Sequence, residues 1–157
     1  MLQMQRHGKR SPTGAALSSL ILDLFRVNNL LLTTGDRLVQ ELGLTSVRWG
    51  VLGAMVAAGR PQPVAWLARD MGASRQNVQR IVNDLRQAGL VAFEPNPHHR
   101  RAQLVALTDK GRQMFEAAMR LQGPWISGLA QGLSVKDLGI TRRVLLALRA
   151  QLERQRS

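Results

Sequence analysis

The sequence predicts a mainly helical fold with one small β-hairpin, in the order helix, helix, helix-turn-helix, hairpin, helix, helix. Three observations predict it. Apolar residues recur at helical spacings over most of the 157 residues. Two short β-prone runs, 90–94 and 103–107, flank a turn-forming stretch. The breaks between periodic segments carry glycine or paired prolines.

Taken in order, a first helix is expected over residues 13–42. Leu17, Leu20, Ile21, Leu24, Leu31, Leu38 and Leu42 fall on helical spacings, Gly35 is a candidate kink, and Gly43 supplies the stop. A second helix at 46–58 carries Trp49, Leu52 and Val56 on one side. Gly59-Arg60-Pro61-Gln62-Pro63 then breaks the pattern, because prolines are excluded from a helix interior. Residues 63–71 form a short helix with Val64, Leu67, Ala68 and Met71 on one face. After the turn Gly72-Ala73, Ser74 caps a new helix, since its hydroxyl accepts an early backbone N–H. That helix buries Val78, Ile81, Val82 and Leu85 and ends at Gly89. Between the two strands, Pro95-Asn96-Pro97-His98-His99-Arg100-Arg101-Ala102 is a basic turn. Thr108 caps a helix from Asp109 to about Leu129, with the Asp109 carboxylate at the positive end of its dipole. Ser134-Val135-Lys136-Asp137 has capping-box spacing for a last helix striped with Leu138, Leu145, Leu148 and Leu152. The organisation expected is a flexible basic arm at 1–12 and a single domain at 13–157. Within it, 61–108 is the helix-turn-helix and hairpin, and 13–43 and 109–155 are the flanking helices.

The charge narrows the partner. Lys and Arg number 22 against 10 Asp and Glu, giving +12 and an isoelectric point near 11.9. Nineteen of those cations are Arg, whose planar fork of donors suits phosphates and guanine edges. Such a surplus favours a polyanion, because neutralising phosphates releases counterions. The absence of cysteine excludes disulfides, zinc-thiolate sites and thiol redox sensing. No stretch approaches the run of roughly 18 apolar residues needed to span a membrane: Asp23 and Arg26 interrupt the richest candidate and Arg48 the next. Met1 to Ser11 is basic without an apolar region behind it, so it is not read as a signal peptide. No membrane partner is expected, and a cytoplasmic location is.

Two helices with a tight turn, followed at once by a hairpin, make a winged helix-turn-helix. In that geometry the second helix enters the major groove with its N-terminal residues nearest the bases. Here it begins Ser74-Arg75-Gln76-Asn77-Val78-Gln79-Arg80. The stripe that starts at Val78 fixes the buried side and leaves Arg75, Gln76, Gln79, Arg80 and Asn83 outward. Gln and Asn can read adenine and Arg guanine, while Ser74 and the backbone at the helix start suit a phosphate; Asn77 is a further candidate DNA contact. Many solvated helix faces are polar, but they mix both signs, and this one has Asp84 as its single acid. Across 60–112 nine cations stand against four acids. At the hairpin tip His98, His99, Arg100 and Arg101 form a compact cluster suited to a minor groove or the flanking backbone. The two histidines do not argue for a metal, because the third, His7, lies on the terminal arm and there is no cysteine. No nucleophile with its base, paired carboxylates or phosphate-binding glycine loop is present, so no enzyme and no cofactor is expected.

The run from Trp66 to Gly111 resembles the MarR family of bacterial transcriptional regulators. The resemblance is carried by Leu67-Ala68, Ser74-Arg75-Gln76-Asn77-Val78, Asp84-Leu85-Arg86-Gln87-Ala88-Gly89-Leu90-Val91, Arg100-Arg101 and Leu107-Thr108-Asp109-Lys110-Gly111-Arg112. It implies a homodimer whose first and last helices interlock, with two recognition helices on a palindromic operator of double-stranded DNA. It also implies repression relieved by a small aromatic or phenolic ligand held between the dimerisation region and the reading unit. Arg48, Trp49 and Leu52 are then candidate ligand contacts. The bland alternative puts Trp49 in the core and pairs Arg48 with an acid of the first helix. One departure stands out: where the family's wing carries an Asp two residues before its typical Arg, aligning on Arg101 places His99. The alternative function is an architectural or partner-regulated DNA binder with no small-molecule effector.

Overall fold

A computed structural model describes residues 11–155. The expected arm therefore lies outside the described residues, apart from Ser11 and Pro12, which open the first helix. Helix α1 spans Pro12–Val39. Pro12 suits the first helical position, where its missing N–H is unneeded, and the Ser11 hydroxyl accepts from the Gly14 N–H at 3.1 Å. The helix continues through Gly35. This glycine is explained by tertiary contact: a Cβ there would overlap the Ser46 hydroxyl. Ser46 fastens α1 to the next helix, its Oγ donating to the Leu32 carbonyl at 2.7 Å and its N–H to Asp36 Oδ1 at 2.6 Å. A 3-10 turn at Gln40–Leu42 ends in Gly43, whose φ of 68° lies in the left-handed region that glycine adopts without strain. Helix α2 is Ser46–Ala58.

The hairpin proves to be part of a three-stranded sheet. Strand β1 is Gln62–Pro63, followed by α3 (Val64–Asp70), α4 (Arg75–Gln87), β2 (Val91–Glu94) and β3 (Leu104–Leu107). The order is β1-β3-β2 and every pairing is antiparallel. Val91 faces Leu107 and Glu94 faces Leu104 across the wing, while Gln62 faces Val105. The stretch 59–63, expected only as a break, thus supplies an edge strand, which tolerates Pro63 because an edge residue can leave its N–H side unpaired. At the wing tip Asn96 Oδ1 accepts the His98 N–H at 3.0 Å and the Ala102 N–H donates to the His99 carbonyl at 3.1 Å. That is the local turn chemistry asparagine favours.

The core forms where α2, α3, α4 and the sheet meet. Leu52, Leu67, Leu85, Val82 and Val105 are fully buried there. The wing leads into α5 (Asp109–Leu129) through Thr108. Its hydroxyl donates to the Gly89 carbonyl at 2.8 Å and accepts the Gly111 N–H at 3.0 Å. The compact unit containing the core extends to Met119, and a second unit begins at Arg120. The second unit holds the rest of α5 and all of α6 (Val135–Gln155). Ser134 caps α6, accepting the Asp137 N–H at 3.0 Å while its own hydroxyl donates to the Asp137 carboxylate at 2.6 Å.

Both terminal regions show apolar surface. Leu22, Phe25, Val27 and Leu30 of α1 are exposed, and no described residue of α6 is buried. Within 12–42 an 18-residue window reaches a mean hydropathy of 1.4, long and apolar enough by composition to cross a membrane. This corrects the expectation that no stretch approaches that mark: Asp23 and Arg26 break the uninterrupted run but are diluted in the average.

Candidate nucleic-acid interface

The site is assembled from α4 and the wing. Ser74 sits in extended backbone just before α4 and its hydroxyl accepts the Asn77 N–H at 3.3 Å. Val78, Ile81, Val82 and Leu85 turn into the core, so the opposite face is held outward. Arg75, Gln76, Asn77, Arg80 and Asn83 are exposed and Gln79 is half-buried. The Gln79 amide donates to Asn83 Oδ1 at 3.0 Å, which fixes these two amides as one unit at i, i+4. The first turn of α4 carries no acid, so the positive end of its dipole is uncompensated. The helix's single acid, Asp84, pairs with Arg48 Nη2 of α2 at 3.5 Å. Its charge is thereby drawn toward α2.

Between α4 and the wing runs a groove of about 540 Å³. Arg75, Gln79, Asn83 and Arg86 line one wall; His99, Arg101 and Gln103 line the other. No acid lines it. The fold thus brings five of the expected residues together across the two elements. Gln76 and Arg80 lie outside the groove on the exposed face of α4, and Arg100 is exposed at the tip. His98 lines a different pocket, beside Trp66. Arg86 is a groove residue that the sequence reading missed, and its guanidinium lies 5.3 Å from the Phe93 ring centroid. The signal was present, since Arg86 follows Asn83 by three and shares its face.

Two comparisons decide the family. Residues 42–102 match the MarR family model. The chain is also 34% identical over 140 residues to the transcriptional activatory protein BadR of Rhodopseudomonas palustris, covering 86% of this chain and 79% of BadR. The chain belongs to the MarR family. The fold agrees with a MarR family transcriptional regulator from Streptomyces coelicolor at a TM-score of 0.75 and 27% identity, over 89% of this chain and 97% of that one. It also agrees with the Mycobacterium tuberculosis transcriptional regulator MOSR, solved in complex with DNA, at a TM-score of 0.75 and 23% identity, over 87% and 98%. The protein is a winged-helix, DNA-binding transcription regulator.

The residues expected to form a ligand wall in this MarR protein are placed differently from one another. Leu52 is fully buried and Trp49 is 9% exposed, both within the core. Arg48 is half-buried and held by Asp84 of α4, not by an acid of α1.

Proposed function

We propose that this MarR protein is a homodimeric repressor that reads a palindromic operator through α4 and the wing and releases it on binding a small aromatic ligand. The observation that carries the reading is the acid-free groove between α4 and the wing, walled by Arg75, Arg86, His99 and Arg101. A cationic groove edged by amides accepts a sugar-phosphate backbone on its walls, while Gln76 and Arg80 face outward toward base edges. Dimerisation is supported by the apolar surface left on α1 and α6, including Phe25 at 64% and Leu152 at 52% exposure. Surface of that kind marks an interaction site. A second reading, activation, is favoured by the likeness to BadR, a transcriptional activatory protein.

The test is selection of bound genomic fragments followed by a search for inverted repeats. Half-site centres about one helical turn, roughly 34 Å, apart are expected, with specific binding some 10³- to 10⁷-fold tighter than non-specific binding. A ratio near one would instead establish the architectural alternative. Sedimentation of the free protein should give a dimer; a monomer at micromolar concentration contradicts the two-helix reading.

A smaller effect follows from the wing. His99 is faced in the groove by Arg75, Arg86 and Arg101, with His98 and Arg60 on its other side and no acid among them. Phosphates brought into the groove accept from these side chains, so the His98→Ala/His99→Ala double variant should weaken operator affinity a few-fold. Unchanged affinity removes the histidines from the interface.

A further inference from the structure

We propose that Arg48 is a positioning residue for operator reading: it holds Asp84 away from Arg80 and so keeps a base-reading guanidinium free, without itself touching DNA. The proposal rests on the reading of α4 as the helix that Arg80 uses to read bases. Arg80 and Asp84 stand at i and i+4 on α4, so their side chains are neighbours on one face and opposite in charge. Asp84 is the only acid that helix offers. With nothing else in reach, its carboxylate would pair with Arg80 and draw the guanidinium down onto the helix. Instead Asp84 Oδ2 lies 3.5 Å from Arg48 Nη2 of α2, and no ion pair joins it to Arg80 among the described residues.

The backbone around Arg48 fixes where its guanidinium can go. Thr45 Oγ1 accepts the Arg48 N–H at 3.3 Å. Ser46, two residues before it, is fastened to the Leu32 carbonyl and to Asp36 of α1, which also engages the α1 carboxylate that could have competed for Arg48. Trp49, Val51 and Leu52 are buried behind it, so α2 cannot turn Arg48 away from α4. The competition for Asp84 then has a clear direction. Arg80 precedes Asp84 along the helix, which is the weaker order for an i, i+4 pair, whereas Arg48 approaches from a separate element with its reach already set. Both partners are partly exposed, at 35% and 36% for the side chains, so their bond adds little to stability. Its consequence lies in the pairing it prevents. Arg48 also neutralises a carboxylate on a helix that faces phosphates, but that effect is felt by every DNA sequence. Release of Arg80 is felt only at the base pair that Arg80 reads.

The test measures discrimination, the ratio of affinities for the operator and for the operator changed at the one base pair to which Arg80→Ala proves sensitive. The full-length protein is titrated against both by fluorescence anisotropy. Arg48→Gln is expected to lower discrimination about threefold, the scale of a helix ion pair competing for Arg80. Asp84→Asn should keep wild-type discrimination, and Arg48→Gln/Asp84→Asn should recover it, because no carboxylate is left to capture Arg80. In an Arg80→Ala background, Arg48→Gln should lower discrimination no further, the non-additivity expected of residues that act through one another. The melting temperature of Arg48→Gln should fall by no more than about 3 °C. Unchanged discrimination in Arg48→Gln overturns the proposal, as does a loss that Asp84→Asn fails to restore. An equal loss on both sequences, restored by Asp84→Asn, reduces Arg48 to a charge neutraliser and also overturns it. Should Arg80→Ala leave discrimination intact at every base pair, the reading of α4 fails and the proposal with it. Loss of discrimination in Arg80→Ala with none in Arg48→Gln strikes the proposal alone.

Discussion

Replacing Gly111 by alanine is expected to destabilise the reading domain more than any other single-methyl change considered for it. A Cβ at this position would overlap the Leu90 carbonyl oxygen and approach Leu107 Cδ1 to 3.0 Å. The carbonyl cannot step aside cheaply. It accepts the Thr108 N–H at 3.1 Å, Leu90 directly precedes β2, and Leu107 is the last residue of β3, paired with Val91. Gly111 is buried in the first turn of α5, and its own N–H is held by the Thr108 hydroxyl. Relief therefore requires α5 to move off the wing, with loss of the Thr108 bonds. Overpacking at backbone contact costs at the upper end of the usual range, about 3 kcal/mol. For a domain of this size that lowers Tm by about 6–12 °C. Gly50→Ala on α2 is the control, because nothing lies within 4 Å of its added methyl; it should be neutral or stabilising by up to about 1 kcal/mol, as helix propensity favours alanine. Thermal unfolding followed by circular dichroism distinguishes them. Equal melting points for Gly111→Ala and wild type would show that the α5–wing contact yields freely.

This junction also shows where the sequence was legible. Thr108 and Ser74 were read as caps because a cap is chemistry between residues three apart, and both make the bond expected. The stripe Val78, Ile81, Val82, Leu85 was legible for the same reason, since one helix turn contains the information. What escaped was set by distant partners. Gln62 and Pro63 are too few to show a period and become a strand only because β3 lies beside them. Gly35 read as a kink because a lone glycine in a helix is locally ambiguous; the Ser46 hydroxyl that explains it lies across a helix crossing. Arg48 was legible as a charge seeking a partner, but its partner Asp84 is 36 positions away on the recognition helix. The outward face of α4 needed only helical geometry. The groove did not, because Arg86 joins Arg101 only once the wing has folded alongside α4. Trp66 stayed silent in the same way: α3 sets it outward, and the wing and Arg60 make a pocket of it.

Arg80→Ala is expected to weaken operator binding by about 1–3 kcal/mol, or roughly 5- to 150-fold, and to do so mainly through one base pair. Arg80 is exposed on α4 outside the groove, one helix turn after Gln76, and its guanidinium meets no acceptor among the described residues. A side chain with that freedom on the outward face of a recognition helix can place both terminal nitrogens on guanine O6 and N7. Lysine lacks the rigid planar fork that fixes this two-point contact, so Arg80→Lys should recover only part of the loss. Arg101 stands in a different environment. It lines the groove opposite Arg75 and Arg86, where a phosphate can be met from two sides. Arg101→Ala should weaken all sequences alike and reduce the salt-dependence slope by about one. Titrating both variants against the operator and single-base substitutions of it, at two salt concentrations, separates the roles. If Arg80→Ala lowers affinity evenly across sequences, Arg80 holds backbone and α4 reads bases through its amides. If Arg101→Ala loses affinity at particular bases, the wing enters a groove, and His99 in the place of the family's acid has changed what the wing reads.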